Sequence, residues 1–152
     1  MMARLFPPQF DNIFPGQKIA LWVFYLITVV TLWRSQHHIF AADGGAQSIA
    51  TIPLDSYSDG AVATIIAIFA QWGLIQLLLG MLMLLAAVRY KSMVPLMWLI
   101  LLMEWIGRGW IGQFKPVETI ETAPGQIGNL VIPIIALVML ILSLVPPKKT
   151  ES

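Results

Sequence analysis

Residues 61–88 read AVATIIAIFAQWGLIQLLLGMLMLLAAV and contain no charged side chain. A helix that crosses the hydrocarbon core of a bilayer needs about 20 predominantly apolar residues. This run is longer than that, so we expect it to tilt or to extend beyond the membrane. It predicts a transmembrane helix and places the chain among integral membrane proteins.

Three further apolar runs flank this stretch. The predicted spans are 19–34, 61–88, 94–112 and 127–145. Pro133 lies inside the last one, where a proline removes a helical hydrogen bond and favours a kink. The predicted fold is therefore all-α, an integral membrane four-helix bundle that occupies residues 19–146. Residues 1–18 are expected to form a cytoplasmic or interfacial arm, and residues 147–152 a cytoplasmic tail.

The overall composition also indicates an integral membrane protein. Hydrophobic residues make up 58% of the chain and charged residues 11%, whereas soluble domains carry roughly a quarter charged residues. Folded in water, the chain would expose more apolar surface than soluble monomers tolerate. The net charge of +1 provides no basic surface for nucleic acid, and the absence of cysteine excludes disulfides and thiolate metal sites. Lipid is the expected solvent for most of the chain.

The distribution of lysine and arginine predicts the direction of the spans. With the N-terminus inside, six basic residues face the cytoplasm and three fall on the outer side. The inner six are Arg4, Lys18, Arg89, Lys91, Lys148 and Lys149, and the outer three are Arg34, Arg108 and Lys115. Because basic residues accumulate in cytoplasmic loops, both termini are expected inside (N-in/C-in). Arg34 is expected to snorkel outward from the end of the first span.

Polar side chains interrupt three of the predicted spans at similar depths. Counted at about 1.5 Å per residue from the cytoplasmic helix ends, one outer layer contains Gln71, Gln76, Glu104, Arg108 and Asn129. Glu104 precedes Arg108 by four residues, so both side chains lie on one helix face and suit an ion pair. An acid near the middle of the bilayer is costly unless it is paired or faces a wet cavity. The pair is therefore expected to point into the bundle.

Two interpretations of this layer stay open. In one, it lines a pocket open to the outer side, where Arg108 holds an anionic or carbonyl-bearing head group of a quinone, a lipid or a pigment. In the other, the polar groups only bond one another and fix helix register, as interhelical polar side chains commonly do. Gly107, Gly109 and Gly112 fit both interpretations, since they allow close helix contact or leave room for a guest.

The two histidines are weak candidates for a metal or pigment site. His37 and His38 follow the first predicted span. Adjacent residues on a helix point about 100° apart, so they make a poor pair of ligands. We expect both to be interfacial polar residues, and no metal site is predicted elsewhere in the chain.

Most of the tryptophans lie toward the ends of the predicted spans. Tryptophan is enriched at membrane–water interfaces, where its amphipathic ring suits the head-group region. We therefore expect an aromatic belt that anchors the bundle and carries no chemistry. Its members are Trp22, Trp33, Trp98, Trp105 and Trp110.

From Asp59 onward, about the last two-thirds of the chain, the layout resembles small four-helix bacterial membrane proteins of the DoxX-like type. Those proteins carry a Gly-Arg near the end of the third helix, then a Pro/Gly loop and a final apolar helix. The matching residues here are Glu104-Trp-Ile-Gly107-Arg108 and Ala123-Pro124-Gly125. The N-terminal arm and the His37–His38 segment do not belong to that pattern. The resemblance implies a bacterial inner-membrane location, and it makes quinone and a partner subunit candidate partners, because some members are subunits of quinone-linked oxidoreductases.

Three features of the sequence bear on function: little of the chain lies outside the predicted spans, no catalytic motif is found, and one polar layer is buried in the bundle. Together they favour a non-catalytic membrane subunit that binds a lipid-like ligand or a partner membrane protein in a larger complex. One alternative is a quinone-linked oxidoreductase subunit with Glu104 and Arg108 at the head group. Another is a small transporter, because acids at mid-membrane often relay protons. Membrane lipid is an expected partner and nucleic acid is not, while the choice of quinone, lipid or pigment as cofactor stays open.

Overall fold

The computed structural model describes residues 2–147, and this part of the chain is helical or irregular, with no strand. The prediction of an all-helical chain is confirmed. Short 3-10 turns precede the third and fourth helices at Leu54–Ser56 and Lys91–Met93. The expected tail beyond residue 147 lies outside the described residues. The helices are α1 (Met2–Leu5), α2 (Lys18–Phe40), α3 (Asp59–Val88), α4 (Val94–Phe114) and α5 (Pro124–Leu144).

Helices α2 to α5 are each long and apolar enough to cross a membrane. Their outward faces are apolar as well, with Val29, Leu130 and Ile134 among the large exposed side chains. Surface of this kind suits hydrocarbon and not water. The chain therefore has the character of a multi-pass membrane protein.

Helix α2 is longer than the first predicted span, which stopped at residue 34. The polar residues after Arg34 continue the helix to Phe40 because they pack against α3. An added Cβ on Gly73 of α3 would lie 2.8 Å from Cβ of His38 and 3.0 Å from the carbonyl oxygen of Ser35. Only a glycine allows α2 and α3 to approach this closely, so the packing extends beyond the apolar run.

The four long helices, α2 to α5, form two pairs. Helix α3 packs along α2, and α5 packs along α4, while α2 also contacts α5. Helices α3 and α4 are joined by the tight turn at residues 89–93 but make few contacts with each other. They therefore separate with increasing distance from this turn.

The main core lies near that turn. It contains Phe24 of α2, Met83 of α3 and Trp98 of α4, all fully buried. The rings of Phe24 and Trp98 meet edge to face at 5.6 Å, and Trp98 donates from Nε1 to the carbonyl oxygen of Ala20 at 3.3 Å. The expectation of an interfacial belt is therefore wrong for Trp98 and for the buried Trp105, whereas Trp22, Trp33 and Trp110 are exposed.

The N-terminal arm, residues 2–17, folds across one end of the bundle, which we call the inner end. Arg4 donates from Nη1 to the carbonyl oxygen of Leu144 at 2.8 Å. The backbone N–H of Asp11 donates to Oγ of Ser92 at 2.9 Å, in the turn between α3 and α4. These bonds tie the arm to α5 and to the turn that joins the two helix pairs. The opposite end, called the outer end below, carries the two long loops at residues 41–58 and 115–123.

Candidate ligand-binding site

Two arginines meet between two tryptophans in the outer half of the bundle. Cζ of Arg108 on α4 lies 4.8 Å from the ring centroid of Trp72 and 4.4 Å from that of Trp105. Cζ of Arg34 on α2 lies 5.9 Å and 5.2 Å from the same two centroids. A cation within about 6 Å of an aromatic ring is attracted by the negative face of that ring. The tryptophans therefore stabilise two neighbouring guanidinium groups that repel each other.

Arg34 is held in place by α3. Its Nε donates to Oε1 of Gln76 at 2.9 Å, and Gln76 is only 4% exposed. Nε2 of Gln76 is buried and has no hydrogen-bond partner among the described residues. The expectation that Arg34 snorkels outward is wrong, because the continuation of α2 beyond it keeps the side chain inside the polar layer.

Arg108 forms the expected ion pair with Glu104. Nη1 of Arg108 lies 3.4 Å from Oε1 of Glu104, and the two side chains are 21% and 26% exposed. Charge-assisted N–H···O bonds are usually about 2.7–2.9 Å long, so this contact is a loose one. Each guanidinium carries five N–H donors. Glu104 is the only carboxylate paired with either arginine among the described residues, so most of these donors have no acidic partner. The layer therefore has an excess of positive charge.

A cavity of about 460 Å³ lies next to this cluster. Arg34, Arg108, Trp72 and Trp105 form its inner part, and Lys115 stands on its rim. Small-molecule sites commonly measure about 300–1,000 Å³ and combine apolar walls with a few converging polar groups. The volume of this cavity falls in that range, its walls are mainly apolar, and its inner part carries two arginines.

Asn129 of α5 is the polar residue on the opposite wall of the same cavity. Its side chain lines the wall, and its Oδ1 is buried without a partner among the described residues. Pro133 lies four residues further along α5 and has no N–H, so the helix cannot supply the usual donor to the Asn129 carbonyl. The wall on α5 therefore contains a buried side-chain acceptor without a partner and a backbone carbonyl that lacks its usual helical donor.

The five polar residues singled out from the sequence take different positions. Arg108 and Asn129 line the cavity, whereas Glu104 and Gln76 act on it through their contacts with Arg108 and Arg34. Gln71 lies on the exposed face of α3 and does not line the cavity. The part of the layer on α3 therefore consists of Trp72 and Gln76.

The three glycines of α4 also differ. A Cβ on Gly107 or Gly112 would meet nothing within 4 Å, and Gly112 lines the cavity. A Cβ on Gly109 would lie 3.7 Å from Cβ of Asn129, an ordinary contact. The close approach of α4 to α5 occurs instead at Gly128, where a Cβ would lie 2.6 Å from the ring of Trp105.

His38 is buried and fixes a loop to the helices. Nδ1 lies 2.7 Å from the carbonyl oxygen of Gly44, so this nitrogen donates when it carries the proton. The ring centroid of His38 lies 4.8 Å from that of Trp72. The expectation of an interfacial position is therefore wrong for His38. Residues 2–147 hold no group of three or more His, Cys, Asp or Glu side chains placed to bind a metal ion.

The two outer loops lie over the cavity and are bonded to each other. The N–H of Ile120 donates to the carbonyl oxygen of Thr51 at 2.9 Å, and Oγ1 of Thr51 donates to the carbonyl oxygen of Glu121 at 2.9 Å. Thr51 has a φ of 56°, a left-handed conformation that is unfavourable for a β-branched residue. The surrounding bonds hold it there, and the loops cover part of the water-facing side of the cavity.

Asp43 organises the first of these loops. Its carboxylate accepts hydrogen bonds from the backbone N–H groups of Gly45, Gln47 and Ser48, at 2.9, 3.1 and 2.7 Å. Partial burial by itself would raise the pKa of Asp43, but these hydrogen bonds outweigh it and lower the pKa to about 2. The loop that covers the cavity is therefore built around a carboxylate that is ionised at neutral pH.

No protein-family model, curated protein or solved structure matches this chain. The resemblance to DoxX-like proteins therefore stays a prediction. The functional conclusion rests on the residues around the cavity.

Sequence reasoning missed three members of this cluster: Arg34, Trp72 and Trp105, the last of which was expected in the aromatic belt. The same count of helix rise that was applied to the other helices places Arg34 about 24 Å from the start of α2, at the depth of Asn129. That signal was present in the sequence. Trp72 carried no comparable signal, because its partners come from α2 and α4.

Proposed function

We propose that this protein is a multi-pass membrane protein that binds the anionic head group of a lipid-like ligand. The binding site is the outer cavity between Arg34 and Arg108. One observation carries the proposal: both arginines line one cavity, and among the described residues only Arg108 has a carboxylate partner, Glu104. A bound anion would compensate the remaining positive charge.

The chemistry of the two arginines favours an anion over a neutral quinone. Guanidinium groups bind carboxylate and phosphate oxygens through paired N–H donors, and such bonds are stronger than those between neutral groups. A quinone carbonyl would accept a hydrogen bond but would leave the like charges of Arg34 and Arg108 uncompensated. In a site of low dielectric constant that repulsion is poorly screened.

The surroundings of the cavity favour a ligand with an apolar part. Its walls include Trp72, Trp105 and Ile111, and it opens among helices whose outward faces are apolar. A phosphate or carboxylate carried on a hydrocarbon chain would satisfy both the arginines and these walls. Anionic phospholipids and fatty acids have this chemistry.

We also propose that both termini lie in the cytoplasm. Three basic residues lie toward the outer end. Two of them, Arg34 and Arg108, belong to the polar layer inside the bundle, so only Lys115 belongs to an outer loop. Six basic residues belong to segments at or beyond the inner helix ends in the sequence. The excess of basic residues on the inner side is therefore six to one, and not six to three, once the two arginines of the polar layer are left out. This excess favours an inner end in the cytoplasm.

The test is lipid-dependent stabilisation of the purified protein. We expect nanodiscs of phosphatidylcholine that contain phosphatidylglycerol to give a higher melting temperature than nanodiscs of phosphatidylcholine alone, because a ligand that binds the folded state stabilises it. Arg34→Gln and Arg108→Gln should each abolish most of this difference. Arg89→Gln is the matched control, since Arg89 is an exposed arginine at the inner end.

Two results would contradict the proposal. One is an equal melting temperature of the wild type in both kinds of nanodisc. The other is an equal loss in Arg89→Gln, which would mean that the lipid acts through general surface charge. Extraction of a quinone at one molecule per chain from the wild type, lost in Arg108→Gln, would favour the quinone-linked alternative instead.

A further inference from the structure

The gap between α3 and α4 gives the cavity a side opening. These helices meet at the inner turn and make few contacts beyond it. Ile68 of α3 and Ile111 of α4 both line the cavity, yet they are 58% and 51% exposed on the outside of the bundle. A residue that faces both the cavity and the surroundings marks an edge of an opening. The opening therefore lies between these two isoleucines.

A second cavity continues this opening along α3. It measures about 310 Å³ and shares Ile52, Ile68, Phe69 and Val117 with the first cavity. Its remaining lining residues are Tyr57, Ala61 and Ile65, so its walls are almost wholly apolar. The cationic cavity thus leads sideways into an apolar groove.

The depth of the opening fits the outer leaflet. At about 1.5 Å per residue, Arg108 lies about 21 Å and Ile111 about 26 Å from the start of α4. A hydrocarbon core of about 30 Å places both below the outer boundary of the membrane, whereas Ile68, about 30 Å from the inner end of α3, lies at that boundary. The bonded loops at Thr51 and Ile120 cover part of the route from water.

We infer that the ligand reaches the arginine pair from the side, between α3 and α4, and is an amphiphile of the outer leaflet. This inference rests on the proposed function. The head group, a phosphate or a carboxylate, moves inward to Arg34 and Arg108. The hydrocarbon tail stays at the opening against Ile68 and Ile111. A free phosphate ion has the same head-group chemistry but gains nothing from the apolar opening.

The experiment compares a tailed and an untailed anion on variants of the opening. Ile111→Trp adds bulk at its edge, and Ile106→Trp is the control, because Ile106 is an equally exposed residue of α4 that does not line the cavity. Binding of phosphatidylglycerol in nanodiscs is measured by native mass spectrometry, and binding of glycerol phosphate by its shift of the melting temperature. We expect Ile111→Trp to weaken phosphatidylglycerol binding about tenfold, which corresponds to about 1.4 kcal/mol, and Ile106→Trp to leave it unchanged.

The outcomes separate the two proposals. If no anion binds in a way that depends on Arg108, the proposed function fails. If glycerol phosphate binds the wild type as tightly as phosphatidylglycerol, or if Ile111→Trp binds both as the wild type does, the side opening is overturned while the anion site stands. Should Ile111→Trp fail to fold, Ile68→Trp tests the opposite edge with the same two ligands.

Discussion

Arg34 of α2 donates from Nε to Oε1 of Gln76 of α3, across 2.9 Å. The acceptor is almost fully buried, and the donor carries one of the two charges that line the outer cavity. This bond fixes the direction of the guanidinium and joins the first helix pair at the level of the cavity. The stability of the bundle and the geometry of the site therefore depend on the same contact.

Replacement of Gln76 by leucine should destabilise the bundle. The new side chain fills a similar volume but leaves Arg34 without its acceptor. Hydrogen bonds to charged groups contribute about 1.5–3 kcal/mol in water, and interhelical bonds in membranes average nearer 0.6 kcal/mol. We expect a loss of about 1–2 kcal/mol for Gln76→Leu in detergent unfolding. Gln71→Leu, on the exposed face of the same helix, should cost almost nothing, and equal losses would mean that the Arg34–Gln76 bond is not what stabilises the bundle.

Neutralising Glu104 should strengthen anion binding. Glu104→Gln removes the carboxylate that competes with a ligand for Arg108. The pair is mostly buried but its contact is loose at 3.4 Å, so the cost in stability should fall between the about 0–1 kcal/mol of an exposed pair and the about 3–5 kcal/mol of a fully buried one. Titration of the variant with phosphatidylglycerol in nanodiscs should give an affinity several times that of the wild type. Weaker binding would indicate that Glu104 positions Arg108 and does not oppose the ligand.

A methyl group at Gly128 should disturb the packing of α5 on α4. It would lie 2.6 Å from the ring of Trp105, so either the ring or the helix must move. Overpacking of this kind typically costs about 1–3 kcal/mol. Gly107→Ala is the control, because a Cβ there meets nothing within 4 Å. Melting temperatures in detergent should fall for Gly128→Ala alone, and similar values for both variants would contradict the close contact.

The contribution of Asp43 to stability should depend on pH. Its pKa is about 2 in the folded protein and 3.8 in an unperturbed chain. Its folded-state pKa is depressed, so the stabilisation is fully present above pH 3.8 and is lost as the pH falls toward 2. The difference in melting temperature between wild type and Asp43→Asn should be constant at neutral pH and disappear across that window. At neutral pH, amide exchange at Gly45, Gln47 and Ser48 should be faster in the variant, and unchanged exchange would contradict the role of the carboxylate.

The proposed topology can be tested with single cysteines in this cysteine-free chain. Gln9 lies in the arm and Glu118 in an outer loop, and both are exposed. An impermeant thiol reagent added outside intact cells should label Glu118→Cys and leave Gln9→Cys unlabelled until the cells are opened. Labelling of both positions from outside would overturn the N-in/C-in arrangement.

Hydropathy was sufficient to predict the four long helices, because three of the apolar runs reach the length of a span and the run at 19–34 falls only a few residues short of it. It failed at the end of α2, where Ser35 and His38 are helical through their packing on Gly73. That contact joins residues far apart in the sequence. An apolar run therefore locates a helix better than it locates the end of that helix.

The candidate site was only partly predictable for a related reason. The spacing of Glu104 and Arg108 is a local property of one helix, so their ion pair could be predicted. The position of Trp72 beside Arg34 and Arg108 depends on how three helices pack, and single-sequence periodicity does not determine that. The same limit explains why Trp98 and Trp105 were expected at the interface and are buried instead.

The bond from Arg4 to the carbonyl oxygen of Leu144 has a consequence for biosynthesis. Arg4 leaves the ribosome well before Leu144, which lies 140 residues later in the chain. During translation the arm must wait until α5 has been released and inserted before it can dock. Protection of the arm from a protease on its own side of the membrane would therefore report the completion of insertion, and chains stalled before α5 would remain cleavable there.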